Sequence, residues 1–316
     1  MKKTALLLVS LVFFISLGLP ARAATVRIGV LPIVDALPFY VAQQRGFFTS
    51  LPMPVKLITF RSAVERDAAF QTGKLDGYLG DIISAALLRS RGFPAKIVSV
   101  ILGKTPKEGL FAILSPPGSS VRSLRDLRGK HVAISSNTII EYVLDGLLKE
   151  SGLPPDAVKT QEIKSIPIRF QMLMTGKIDA AVLPDPLASL AKSKGAHWLA
   201  DDGKTNLSQT VLIWNETFLK NHRPFLAAFY RAYDRAVAVI NRDHRGVRAL
   251  LVEKCRLPKP IAQTFVFADF PKASPPSGKD LANVLTWLKD KGLLKRPVTP
   301  GDLLSGNILS NPDQGN

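Results

Sequence analysis

The sequence predicts an α/β protein of two similar lobes, and three observations predict it. A short segment occurs twice, as Thr72-Gly73-Lys74-Leu75-Asp76 and Thr175-Gly176-Lys177-Ile178-Asp179, the copies lying 103 positions apart, about the length of a small domain. Short apolar runs alternate with amphipathic runs of roughly 10–15 residues, the pattern of a mostly parallel sheet flanked by helices. That alternation breaks at Pro116-Pro117-Gly118-Ser119-Ser120 and then begins afresh. Two copies are too few for a solenoid but suit two lobes with a cleft between them.

The elements follow in order. An alternating strand over 26–31 leads through Pro32-Ile33-Val34-Asp35 into a short helix, with Pro38 near its first turn and Gly46 closing it. A second strand covers 55–60. Ser62-Ala63-Val64-Glu65 then reads as a capping box opening a helix that stops at Gly73. The first repeat copy supplies a strand over 75–79, and Asp81 is placed to cap a helix through Leu88. Strands at 96–101 and 110–114 end the first half. In the second half, a short capped helix at 123–130 precedes a strand at 131–134. Thr138 and Glu141 read as another capping box. Ile140, Val143, Leu144, Leu147 and Leu148 share one helical face. A strand at 160–163 and a helix from Ser165 lead into the second repeat copy. After a strand at 210–214 the chain reads as helical: a long amphipathic helix behind Pro224, then helices near 245–254, 259–267 and 277–291. This helical tail is expected to pack on the first lobe.

The N-terminus has a basic start, an apolar run from Ala5 to Leu19, and Ala21-Arg22-Ala23. This is the build of a cleavable export signal over 1–23, cut after Ala23. The apolar run is shorter than the ~20 residues that cross a bilayer. The expected location is the periplasm. Formal charge is +17; removing Lys2, Lys3 and Arg22 with the signal leaves +14. The basic residues are scattered and lack aromatic interleaving, which argues against nucleic acid as a partner. The single cysteine, Cys255, excludes an internal disulfide.

In α/β sheets, ligands sit at the carboxyl ends of strands, where loops enter helix N-termini. Five turns qualify, and they nominate Asp35, Phe39, Arg61, Ser62, Gly80, Asp81, Ser135, Asn137, Thr138, Pro184 and Asp185 as ligand-binding residues. Catalytic readings fare worse. The four histidines fall outside these turns, and the sequence has no paired-cysteine metal spacing and no phosphate loop. No catalytic residue, metal or cofactor is expected. Asp81 and Asp185 each stand where a helix cap is needed.

Leu31-Pro32-Ile33-Val34-Asp35-Ala36-Leu37-Pro38-Phe39-Tyr40-Val41-Ala42, followed by Gly46-Phe47-Phe48, resembles the opening of periplasmic substrate-binding proteins of ABC importers. The branch it is similar to serves sulfonates, nitrate and thiamine-pyrimidine precursors. Ala69 to Gly77, Leu124 to Lys130, and Gly176-Lys177-Ile178-Asp179-Ala180 carry the same resemblance, which runs from Thr25 to about Leu294. It implies a type II binding-protein fold: two lobes, each a mostly parallel sheet with flanking helices, joined by two crossover strands. By position those crossovers are 110–114 and 210–214. Lobe 1 is then 24–112 with 211–305, lobe 2 is 113–210, and 306–316 is a frayed tail.

The implied partners are a small-molecule ligand and a membrane permease with its ATPase subunits. The protein itself is expected to be a monomer that touches the membrane only through the permease. Arg61 suits a sulfonate or carboxylate, whereas Asp35, Asp81 and Asp185 favour a hydrogen-bond donor or amine. With Phe39, Tyr40 and Tyr78 as stacking surfaces, the balance favours a neutral or amine-bearing ligand such as a pyrimidine precursor. The alternatives are sulfonate, taurine or nitrate binding, and an enzyme on the same scaffold.

Overall fold

The computed structural model describes residues 24–105, 108, 111–306 and 308–309. The expected export signal over 1–23, Leu110 and most of the tail beyond 306 lie outside the described residues. Two five-stranded sheets organise the chain. The first contains β1 (Val26–Val30), β2 (Val55–Thr59), β3 (Gly77–Asp81) and β4 (Ala95–Leu102). The second contains β5 (Phe111–Ser115), β6 (His131–Ile134), β7 (Lys159–Glu162), β8 (Ala180–Pro184) and β9 (His197–Asp201). The last strand, β10 (Thr210–Asn215), returns to the first sheet. The strand orders are β2-β1-β3-β10-β4 and β7-β6-β8-β5-β9, so the sheets share one plan. In each, the fourth strand runs antiparallel to both neighbours.

The helices are α1 (Leu37–Gln44), α2 (Ala63–Gln71), α3 (Ile82–Ser90), α4 (Ile139–Glu150), α5 (Ile166–Met174) and α6 (Leu187–Ser193). After β10 come α7 (Glu216–Asn221), α8 (Arg223–Arg242), α9 (Arg248–Glu253) and α10 (Gly278–Asp290). The long helix α8 turns Phe225, Phe229, Tyr233, Ala236 and Ile240 inward. Phe229 sits between Phe39 and Phe48, at ring separations of 6.3 and 5.4 Å. Truncating such a ring to alanine typically costs ~3–5 kcal/mol. The Trp214 indole N–H donates to the Tyr230 hydroxyl at 2.9 Å, fastening β10 to the same helix.

The repeated segment has a structural meaning at its glycine and its aspartate. Gly73 and Gly176 take φ of 69° and 67°, the left-handed conformation that ends α2 and α5. Beyond them the two aspartates act as clips. The Asp76 carboxylate accepts the backbone N–H of Arg27 at 2.8 Å and both Nε and Nη2 of its guanidinium. Asp179 accepts the backbone N–H of His131, also at 2.8 Å. Each aspartate therefore ties the third strand in the order of its sheet to the second, β3 to β1 and β8 to β6.

The chain crosses between the sheets twice, and each crossing delivers the antiparallel strand of the sheet it enters. Asp202, 1% exposed, joins the crossings: its carboxylate accepts the backbone N–H groups of Phe111 and Ser208 at 2.8 and 2.7 Å.

Several expectations are corrected. The first repeat strand is Gly77–Asp81, two residues later than 75–79, because Lys74 still closes α2 by donating to Ala69. The edge strand β9 is an addition to the expected elements: its residues are all half-buried and show no alternation. No helix covers 259–267. Lys259–Ile261 makes one short turn, hydrogen-bonded turns continue until the Phe265 N–H reaches the Ile261 carbonyl at 2.8 Å, and there Phe265 and Phe267 point inward while Val266 is 83% exposed. That period of two marks extended chain. Both expected capping boxes are half right. Ser62 and Thr138 do cap their helices, but Glu65 and Glu141 accept from the backbone of Arg61 and Asn137, one residue earlier than the motif requires.

Candidate functional site

The carboxyl ends of both sheets meet in a cleft with two compartments. The inner one is narrow, about 40 Å³, room for about three waters at roughly 10–15 Å³ each. Leu31, Ile33, Gly80, Asp81 and Thr210 line it from the first sheet, and Ser135, Thr138, Pro184 and Phe111 from the second. Two arginines, Arg66 from α2 and Arg169 from α5, complete it. The outer compartment is wider, about 280 Å³, and is bordered by Asp35, Glu108, Asp185, Phe265 and Phe267. Phe111 lines both, standing between them.

Backbone constraints shape the inner wall. A Cβ on Gly80 would lie 2.5 Å from the Tyr78 ring, and one on Gly77 2.6 Å from the Trp214 indole. Only glycine lets β3 lie this close to β10 and to the neighbouring Tyr78 ring. Arg66 is 2% exposed yet well matched: Nη1 donates to the Leu79 carbonyl at 2.8 Å, and Nε and Nη2 grip Asp67. The second Asp67 oxygen accepts from Ser84, which is also bonded to the Tyr78 hydroxyl. Asp81 caps α3 by accepting from Ser84 N–H at 2.7 Å. Burial raises the Asp81 pKa to about 6, although Arg66 pulls the other way.

The outer compartment is acidic. Asp35 lies in a single 3₁₀ turn before α1, and burial lifts its pKa to about 6. Asp185 follows β8 and is joined to Pro186 by a cis peptide bond. Burial, reinforced by the charge of Asp35, lifts its pKa to about 6 as well. Two carboxylates that resist ionisation together form a natural seat for a positive charge or a strong donor. Among the described residues, no three His, Cys, Asp or Glu side chains gather closely enough to hold a metal ion.

The nominated residues divide. Gly80, Asp81, Ser135, Thr138 and Pro184 line the inner compartment, and Asp35 and Asp185 the outer one. Ser62 is buried as the cap of α2. Phe39 is fully buried against Phe229 and Tyr233, so its ring belongs to the core. Tyr78 is likewise enclosed, its ring under Arg66. Arg61 and Asn137 are exposed and border neither compartment.

Asp81 and Asp185 are not counterparts. The 103-residue offset sets Asp81 against Pro184, so Asp185 lies one residue further on and faces the other compartment. It is not the cap of α6 either; that position is Pro186, while Asp185 accepts from Ser189. Sequence reasoning missed Arg66, Arg169, Glu108, Phe111 and Phe265. For the arginines a signal existed: each stands six residues before the repeated threonine.

The comparisons with known proteins agree with this architecture. Over residues 34–243 the chain matches the family described as NMT1/THI5 like. It is 24% identical to a 4-amino-5-hydroxymethyl-2-methylpyrimidine phosphate synthase of Uromyces fabae, across 85% of this chain and 81% of the synthase. Its fold is similar to the ligand-binding component of an ABC-type import system from Staphylococcus aureus, solved with zinc bound. There the TM-score is 0.76 and identity 18%, covering 90% of this chain and 97% of that one. It is also similar to the alkanesulfonate-binding protein SsuA of Xanthomonas axonopodis pv. citri bound to MOPS, with TM-score 0.74 and 22% identity over 92% and 99% of the two chains. With two sheets of one plan, a cleft at their carboxyl ends and a family match across most of both lobes, the chain belongs to the NMT1/THI5-like family.

Proposed function

We propose that this protein is the extracytoplasmic solute-binding component of an ABC importer, taking a small organic molecule into the cleft and presenting it to a membrane permease with its ATPase subunits. The observation that carries this reading is the cleft itself: residues at the strand ends of both sheets line one space, and two chain crossings join the sheets. A ligand touching both walls favours the closed arrangement by its differential affinity for it. The outer compartment supports a ligand with an amine or a strong donor over Asp35 and Asp185, flanked by the rings of Phe111 and Phe265. An aminopyrimidine-like ring has this character, and the kinship with pyrimidine phosphate synthases is compatible with it. That kinship also supports a second reading, an enzyme on the same scaffold. Against it, Cys255 is fully buried, with its thiol pKa pushed up by burial, so it is a poor nucleophile.

The test is mass spectrometry of the ligand released from gently purified protein, followed by calorimetry and X-ray scattering with that compound. Stoichiometric binding, a smaller radius of gyration and recovery of the compound unchanged are the expected results. Conversion of the compound to a product would overturn the transport reading.

A further inference from the structure

The two arginines of the inner compartment are counterparts in the repeat but differ in their electrostatics. Arg66 and Arg169 are 103 positions apart, and so are the carbonyls they hold, Leu79 and Val182. Arg169 donates from Nε to Val182 O at 2.8 Å and from Nη1 to Ile163 O at 2.7 Å. Around Arg66 the positive charge is met by the Asp67 carboxylate at 2.8 Å and, in the same wall, by Asp81. The positions equivalent to those two acids are Phe170 and Pro184, which carry no charge. Arg169 is 0% exposed, its Nη2 has no hydrogen-bond partner, and burial lowers its pKa only to about 10, so it remains a cation. A buried cation whose opposing charge is Glu162, an exposed carboxylate that already accepts from Ser136, is costly.

We propose that Arg169 is the anchor for an anionic group on the ligand, a carboxylate or sulfonate held by the free Nη2 and the spare N–H of Nη1. This rests on the solute-binding reading above and deepens it. The inner compartment is large enough for such a headgroup and too small for a whole ligand. The remainder of the molecule passes Phe111 into the outer compartment, where Asp35 and Asp185 receive its donor end. Lys164 at the rim adds a second positive charge to the approach. The ligand is thus acid-bearing at one end and amine- or donor-bearing at the other. This replaces the neutral ligand that the aspartates alone suggested.

The experiment is side-chain nitrogen NMR on the wild-type protein, with the Arg169 guanidinium assigned through bonds. Sodium acetate and sodium methanesulfonate are titrated separately at constant ionic strength, with chloride as the control. A saturable shift of Arg169 with acetate or methanesulfonate, absent with chloride, is expected, and the two salts distinguish a planar from a tetrahedral headgroup. No shift, or an equal shift with chloride, would falsify the anchor. In a second arm, Arg169→Lys keeps the charge and removes the fork. Calorimetry with the released ligand is expected to show about a tenfold or greater loss of affinity, the scale of one charge-assisted hydrogen bond. A released ligand without an acidic group sinks the anchor and leaves the solute-binding reading standing, whereas catalytic turnover sinks that reading itself.

Discussion

Replacing Asp185 by asparagine is expected to stabilise the unliganded protein at neutral pH and to do little at acid pH. In the fold, burial together with the neighbouring charge of Asp35 raises the Asp185 carboxyl from 3.8 to about 6. In the unfolded chain it ionises near its ordinary value of roughly 4. The folded state therefore binds the proton more tightly, and its stabilising contribution is present below about pH 4 and lost as pH rises through about 6. At ~1.36 kcal/mol per pKa unit, the destabilisation at pH 7.5 approaches 3 kcal/mol. The charge of Asp35 supplies part of the rise at Asp185, and local relaxation reduces the total. A gain of about 1.5–3 kcal/mol corresponds to roughly 3–12 °C in Tm for a chain of this size. The substituted amide keeps an oxygen for the Ser189 N–H, so the start of α6 retains its bond. The assay is calorimetric melting of wild type and D185N at pH 4.0, 6.0 and 7.5 in one ionic-strength series. A Tm difference that is constant with pH, or negative at pH 7.5, refutes the reasoning.

The two repeat aspartates give a paired comparison: Asp76→Ala is expected to cost more than Asp179→Ala, because only Asp76 also holds a guanidinium in two bonds. Chemical denaturation should separate them by about 1–2 kcal/mol, and equal losses would contradict the clip geometry. Gly77→Ala forces a methyl group into the Trp214 indole and the Ile213 carbonyl, so a loss of about 2–3 kcal/mol is expected, with quenched or shifted tryptophan emission as a second readout. Cys255 is expected to resist iodoacetamide at pH 8 in the native protein and react at once in urea; rapid native labelling would contradict its enclosure behind α9.

Most of the architecture was legible because it rests on local chemistry. Glycine stops, capping serines and threonines, and apolar runs report the backbone directly, and the 103-residue repeat exposed the two-lobed plan. The inner and outer compartments were less legible. Phe39 looked like a stacking surface because it follows a strand end, but the long helix α8 arrives from almost 200 residues away and encloses it. The segment at 259–267 reads as a helix because its first residues do turn, while the alternation of Phe265, Val266 and Phe267 marks where the chain becomes extended. Arg169 was passed over because a single arginine in an apolar helix looks like a surface residue until its Nε and Nη1 are seen bonded to Val182 and Ile163. The charge of the cleft depends on which acids accompany which arginine in space, and sequence order does not carry that information.

The returning strand β10 has a consequence for the order of assembly. It sits between β3 and β4, so the first sheet is split until residues 210–215 have been made. The second sheet is drawn from one unbroken stretch, 111–201, and has every strand it needs beforehand. The N-terminal half thus emerges first but finishes last, waiting for a strand that follows its neighbour. Moving the β10 sequence ahead of β5 by circular permutation is expected to speed folding of the first sheet in stopped-flow refolding, and an unchanged rate would refute this order.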